Sequence, residues 1–571
     1  MEKEGQWSRS RVGRNATILA SAISAVVFSG KAAAFAVDTD NPDISIRWDN
    51  TVRYNIGFRA EDCDKNICGN GKGAGDITAH QSDRKFSDAG DIVTNRLDLL
   101  TELDVVYKNM VGFRISAAGW YDNAYDDTSV KGDSALEAAG FDSSRNGNYT
   151  GSIKRWNRGP SGEILDAFVF TQFDVDGMPV NLKLGKHNVY WGESLFSFVG
   201  GVAYGQGPVD IRKSLANPGS EAKELFKPLN QFSFTMSLTD RLAITGQYFF
   251  DWKASPLPDG GTYFGPADFF TGGGGTVVPM LGVPAVFDGT RDPKDKSGDW
   301  GVAVRWRPEW LDGRLGFYYR EYTDKLPQMV IGGVTPGGAL RVDLDYRTPR
   351  QKLYGISLGK QIGSISFGAD VTYRKDAQIA VTPFANVIAA NAADLQWRPT
   401  GDVWTALANI VAYYGETPLF DSAALTAELN YSKLERITHD PLNLFYGRNE
   451  NCAGGEATKH GCPTRDAFGV AVAFEPKWFQ VRPGMDLSMP LFLSLGLRGN
   501  SPVPFGDNEG QGSYSIGLAA DIENRYNFAI KFNGFLAKHS NDGAGVLSNS
   551  NSSLGKYWDR NWVSITFKTT F

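Results

Sequence analysis

The side chains able to do acid–base or electrostatic work in this 571-residue chain are mostly set at alternate positions, opposite apolar ones. Between Ile44 and Arg59, the residues Ile44, Ile46, Trp48, Val52, Tyr54, Ile56 and Phe58 share one parity, and Arg47, Asp49, Arg53 and Arg59 share the other. Farther on, Asp98, Glu102 and Asp104 oppose Leu97, Leu99, Leu103 and Val105, and Arg114 opposes Phe113 and Ile115. Lys183 stands on the parity of His187. A period of two belongs to β-strands, whose successive side chains point to opposite faces. If the apolar face meets lipid, the charged face meets water or opposite charge inside a lumen, because an unpaired buried charge costs too much. Facing rows of Arg, Lys, Asp and Glu in a lumen sort solutes by charge. They also brace the wall as ion pairs, and the sequence leaves both roles open.

Catalysis has little to work with. The histidines are His80, His187, His439, His460 and His539, and only His187 falls on an expected strand. A barrel esterase or phospholipase needs a Ser–His pair held in register on neighbouring strands. That reading therefore depends on a serine within reach of His187, whose plainer role is a hydrogen bond inside the lumen. His439 and Asp440 fall in an expected loop, and Asp122, Asp126 and Asp127 read as solvating or cation-holding loop acids. No phosphate-binding loop, dinucleotide fingerprint or zinc signature is present, so no cofactor and no metal is expected. The four cysteines form two local sets, Cys63 with Cys68 and Cys452 with Cys462, read as disulfide candidates of an oxidising compartment.

The elements that position these residues are strands. Segments like the first recur near 97–107, 113–121, 164–174, 179–188, 230–238, 241–252, 298–307, 313–323, 352–361, 363–375, 401–415, 421–433, 466–475, 485–498, 512–523, 525–536 and 560–571. The fold class is all-β, a transmembrane antiparallel barrel of about 18 strands, with 16 possible. Short connections alternate with long polar ones at 60–92, 123–163, 189–228, 253–297, 324–350, 376–400, 434–465 and 537–559, as expected for short periplasmic turns and long external loops. Residues 1–36 read as an export signal, with Arg9, Arg11 and Arg14 before an apolar core and Ala34-Phe35-Ala36 as the cleavage site, and 37–571 as the barrel. The 65 glycines exceed the roughly 40 of average usage. A net charge of −6 argues against a nucleic-acid partner. Trp48, Trp120, Trp191, Trp300, Trp310, Trp478 and Trp562 are expected in an interfacial belt.

Two stretches stand out. The last, Asn561 to Phe571, alternates to its end, and Phe567 with Phe571 reads as the signal to a barrel assembly machinery in a membrane of lipid and lipopolysaccharide. The other is the loop 189–228, opening on Trp191-Gly192-Glu193 and carrying Phe196, Phe198, Val199, Val202 and Asp210. It is expected to fold inward and set a constriction, with Glu193 facing the basic residues of the first and fifth strands and Asp210 pairing with wall charges. The loop 376–400 holds Phe384, Val387, Ile388 and Leu395 at helical spacing.

The run Leu184-Gly185-Lys186-His187-Asn188-Val189-Tyr190-Trp191-Gly192-Glu193-Ser194 resembles the "LGRQ…WGES" segment of a pseudomonad-type, Gram-negative outer-membrane family catalogued as domain of unknown function 1302. Pro208-Val209-Asp210, Gly261-Thr262-Tyr263-Phe264 and Trp48-Asp49-Asn50-Thr51 extend the match, while His187 stands where the family has Gln. The resemblance implies a barrel whose members accompany genes for hydrophobic-compound catabolism and a periplasmic lipoprotein-carrier-like partner. It implies no catalytic site. The expected function is a porin-like channel for uptake or export of a small organic, hydrophobic compound. The rivals are a barrel esterase and a closed structural or surface-binding barrel.

Overall fold

Alternating segments bury their polar face and leave their apolar face out, and in the computed structural model they close on themselves. The structure describes residues 35–37, 39–64, 82, 85–126, 148–197, 199–217, 220, 222–265, 276–278, 283–334, 338, 340–381, 398–441, 445, 462–537, 540–541, 547–548 and 557–571. The wall strands are β1 (Ile44–Arg59), β2 (Ile92–Tyr107), β3 (Val111–Asp122), β4 (Ser161–Val175), β5 (Met178–His187), β6 (Leu229–Thr239), β7 (Leu242–Phe249), β8 (Trp300–Trp306) and β9 (Gly313–Tyr322). They continue as β10 (Gln351–Ile362), β11 (Ile365–Gln378), β12 (Thr400–Tyr414), β13 (Ser422–His439), β14 (Asp466–Arg482), β15 (Met485–Ser488 and Leu491–Arg498), β16 (Gly512–Ile522), β17 (Tyr526–Leu536) and β18 (Trp562–Thr570). Each pairs antiparallel with its sequence neighbours, and β18 pairs with β1 as well as β17, so the ring of eighteen has no edge. A short strand, Phe35–Val37, adds to the foot of β1 at Ile46–Trp48. Residues 1–34, which hold most of the expected export signal, lie outside the described residues.

Leu99, Ile115, Ile164, Leu184, Ile356, Leu429, Ile516 and Ile530 are exposed on the outer wall, while Arg53, Glu102, Arg374 and Glu428 are buried inside. No described helix is long and apolar enough to cross a membrane, which says nothing of strands. A closed barrel with an apolar exterior satisfies every backbone polar group within hydrocarbon, and this is an outer-membrane barrel.

Several expectations are corrected. The loops 253–297 and 324–350 are not plain polar connections. Thr276–Val278, Val283–Arg291, Gln328–Val334 and Leu340–Asp345 form a four-stranded external sheet, in which Val283–Arg291 and Leu340–Asp345 run parallel. Runs such as Val277-Val278 and Met329-Val330-Ile331 carry the β-propensity that permits it. His439 closes β13 opposite Thr400 instead of lying in a loop. Trp48 and Trp310 are exposed as a belt requires, but Trp120, Trp191 and Trp562 are buried. Trp562 shares the inward parity of Ser564 and Thr566, so its ring enters the barrel. Phe384, Val387, Ile388 and Leu395 lie outside the described residues.

Candidate constriction across the lumen

Between β5 and β6 the chain leaves the wall and enters the lumen. Gly192 makes the turn at φ +87°, and Gly201 makes a second at φ +73°. A Cβ on either would press on the same atom, Asp370 Oδ2, at 2.5 and 2.8 Å. Asp370, on β11, accepts N–H bonds from Glu193 and Val202, both at 3.0 Å. Glu428, on β13, accepts them from Leu195 (2.7 Å), Phe196 (3.2 Å) and Ser197 (2.7 Å). Neither carboxylate faces a base across the strands. Asp370 is flanked by Ser357 and Leu407, and Glu428 by Asn409 and Ala471. Their acceptor capacity goes to the loop backbone, in charge-assisted bonds stronger than neutral ones.

The seat is a single cross-strand row: Arg314, Gly359, Gly368, Asn409 and Glu428 pair in turn from β9 to β13. The two glycines leave a notch. Glu193 fills it, its carboxylate 3.3 Å from where a Cβ of Gly359 would lie and its own Cβ 2.9 Å from that of Gly368. Arg314 closes on Glu193 Oε1 at 2.6 Å, and the Asn409 amide donates to the Glu193 carbonyl. Trp191, 1% exposed, packs on Tyr318, Val202 and Ala303.

The loop then reaches the opposite wall. Helix α1 (Ile211–Ala216) is capped by Asp210, which accepts from the Lys213 N–H at 3.1 Å. Burial pushes the Asp210 carboxyl up, but Arg212, Lys227 and Lys213 outweigh it and hold it below the usual range. Lys213 and Lys227 both bond Glu163 of β4. From helix α2 (Ala222–Leu225), Glu224 pairs with Arg53 of β1 at 2.9 Å and Lys223 with Glu102 of β2. Asn55 donates to Asn217 at 3.0 Å. The loop is thus tied to β9–β13 on one side and to β1, β2 and β4 on the other.

The expected site residues divide accordingly. Arg53, Glu102, Trp191, Gly192 and Glu193 meet in or under the loop. Asp98 joins them through Arg53 (3.6 Å) and Arg96 (2.9 Å). Arg114 bonds Glu102, Asp104 (3.4 Å) and Asp166 (3.6 Å) on the same wall. Arg47 pairs with Asp49 at 2.7 Å, near the foot of β1 and away from the loop. Lys183 sits 5.3 Å over the Phe168 ring. Two partners were misassigned. Glu193 does not face the bases of the first and fifth strands but Arg314 of the ninth, because the loop turns at Gly192 along the β9–β13 wall. Asp210 does not bind the wall but Arg212 and Lys227 of its own loop, which reach it first.

A serine does stand within reach of His187. Ser233, on β6, lies 2.7 Å from Nε2. His187 is 1% and Ser233 5% exposed, and Nδ1 meets the Gly185 carbonyl at 3.0 Å, where a triad has its acid. The pair links two neighbouring strands, and among the described residues no acid stands behind the ring. Among the described residues no group of three His, Cys, Asp or Glu side chains is placed to hold a metal. Among them no cysteine is free. Cys68 and Cys452 lie outside the described residues, so the expected pairings are not visible.

Two apolar clusters adjoin the loop, the first including its own Val199 and Tyr204, and buried Arg320, Asp324 and Arg374 lie among them. Val199, Tyr204, Tyr322, Leu326 and Leu353 form one buried cluster, and Trp252, Leu257, Leu344 and Tyr346 another.

No curated protein matches the chain. Among solved structures, the outer membrane protein OpdK of Pseudomonas aeruginosa aligns at 9% identity and TM-score 0.39, covering 92% of this chain and 98% of that one. OccAB4 of Acinetobacter baumannii aligns at 9% identity and TM-score 0.40, over 93% and 100%. OccD3 (OpdP) of Pseudomonas aeruginosa aligns at 11% and 0.37, over 95% and 94%. The family model described as protein of unknown function (DUF1302) matches residues 15–571, and the chain belongs to that family.

Proposed function

We propose that this barrel is a passive outer-membrane channel for a small organic, apolar compound, with the loop 188–228 as its constriction. The observation that carries the reading is the tie of one loop to both sides of the lumen, by Asp370 and Glu428 on one wall and by Arg53, Glu102 and Glu163 on the other. A loop that only covered the mouth would need no such span. The apolar clusters that the loop joins through Val199 and Tyr204 support an apolar solute over a hydrated ion, because apolar constrictions exclude water.

The test is the pair of substitutions Asp370→Ala and Glu428→Ala, which remove the acceptors of five loop N–H groups. Planar-bilayer conductance is expected to rise, and discrimination among solutes in liposome uptake to fall, at unchanged assembly. Identical currents and uptake rates in variant and parent would reject the loop as the constriction. Silence of both at all voltages would favour a closed barrel.

A further inference from the structure

We propose that a second loop, 499–511, is a gate on the external side of the lumen, and that Phe505 is the residue that shuts it. The proposal rests on the channel reading above and adds to it an element outside the constriction loop.

The loop joins β15 to β16 as a hairpin. Asn500 bridges Asn508, and the Ser501 N–H donates to the Asp507 carbonyl at 3.0 Å. Its tip is Pro502-Val503-Pro504-Phe505-Gly506. Instead of standing out into the medium, it leans into the barrel. The Asp507 carboxylate occupies the space a side chain at Gly469 of β14 would take. The Pro502 carbonyl accepts from the Ala380 N–H, just past β11, at 2.8 Å. Val503, 2% exposed, packs with Ile379, Val403, Leu434 and Phe445. Phe505 goes farther and packs against both apolar clusters, beside Ile211 of α1. Those clusters gather Val199 and Tyr204 of the constriction loop, Tyr322 of β9, Leu353 of β10, Leu344 of the external sheet and Trp252 just past β7, and β7 lies across the eighteen-strand ring from β16. The hairpin therefore spans the lumen above the constriction loop and meets it.

Phe505 reaches there at a cost. Its φ is +60°, in a region that a bulky side chain resists. Strained residues of this kind gather at clamps and switches, where the surrounding structure holds them. The prolines on either side of Val503 stiffen the tip, so the ring swings with the hairpin as a unit. Apolar contacts hold the ring to the far side, and a solute entering from outside meets it before it meets Glu193.

The experiment is a size series at position 505, read as planar-bilayer conductance of assembled, heat-modifiable protein. Glycine takes φ +60° without strain, so Phe505→Gly removes the ring and keeps the path of the loop. Ion conductance is expected to rise several-fold in Phe505→Gly, less in Phe505→Leu, and to stay at the parental level in Phe505→Tyr. Equal conductance across the series overturns the gate. If the Asp370→Ala and Glu428→Ala variant conducts more than its parent while the 505 series stays flat, the gate alone fails and the constriction stands. If parent, anchor variant and Phe505→Gly are all silent, the channel reading fails, and the gate with it.

Discussion

At the scale of single residues, chemical type was easier to read than partner. Gly192 was legible as a turn, but the reason for glycine, the carboxylate of Asp370 behind it, comes from a strand nearly 180 positions away in sequence and has no local signal. Glu193 was legible as a loop acid needing a base, and parity offered several inward bases without saying which wall the loop would follow. An inward carboxylate with no base across the strands, such as Asp370 or Glu428, marks where a loop backbone docks. Glu193 also carries a prediction. Its pair with Arg314, whose side chain is 41% exposed, is too solvated to add more than about 1 kcal/mol of stability. Glu193→Gln should therefore assemble normally. It removes a negative charge from the constriction and frees Arg314, so permeability should shift toward anions. The reversal potential in a salt gradient measures this, and an unmoved reversal potential would show that the pair only pins the loop.

At the scale of elements, the eighteen strands were legible because a period of two is local and survives in any short stretch of sequence. Loops have no period, and what they touch is set by the fold. The hairpin 499–511 is not among the long connections expected from the sequence. Its Pro-Val-Pro-Phe-Gly tip, apolar where a solvated loop is polar, was the available sign. Its charge makes it sensitive to pH. Burial first, and the neighbouring Glu428 second, push the Asp507 carboxyl up to about 6 from an ordinary 3.8. A folded-state value above the unfolded one means that the folded hairpin keeps a proton the unfolded chain has lost. The stabilisation is complete below the ordinary value and is lost as pH rises through about 6. The hairpin should thus be better protected at pH 5 than at pH 7.5, read as a larger ratio of intrinsic to observed amide exchange rate at the non-proline residues of 500–508. Asp507→Asn should abolish the difference. Equal protection at both pH values in the parent would show that Asp507 does not govern the seating of the hairpin.

At the scale of the whole molecule, the fold depends on one seam. Seventeen of the wall pairings join strands adjacent in sequence, and only β1 with β18 joins strands more than 500 residues apart. Loop closure over so long a chain is its main entropic cost, and until the seam forms both strands are open edges prone to wrong pairing. The seam ends in a reciprocal pair of backbone bonds, Phe571 N–H to the Asn50 carbonyl at 2.8 Å and Asn50 N–H to the Phe571 carbonyl at 2.7 Å. Four residues inward, Phe567 packs on Phe528 at 4.8 Å and on Tyr526 at 6.3 Å, contacts that favour this register of β18 against β17. Removing Phe571 therefore takes away the last rung of the wall pairing most distant in sequence, along with the aromatic end read from the sequence as the assembly signal. The truncated chain should reach the outer membrane at a fraction of the parental level and accumulate as a form without heat-modifiable mobility. Phe250→Ala, which trims a ring exposed beyond the end of β7 and keeps the backbone bond to Asn230, should leave the level unchanged. Gel mobility with and without heating, on fractionated membranes, separates the two. Equal amounts of folded protein from the Phe571 truncation and the parent would mean that closure is decided earlier along β18, at Phe567, and not at the chain's last residue.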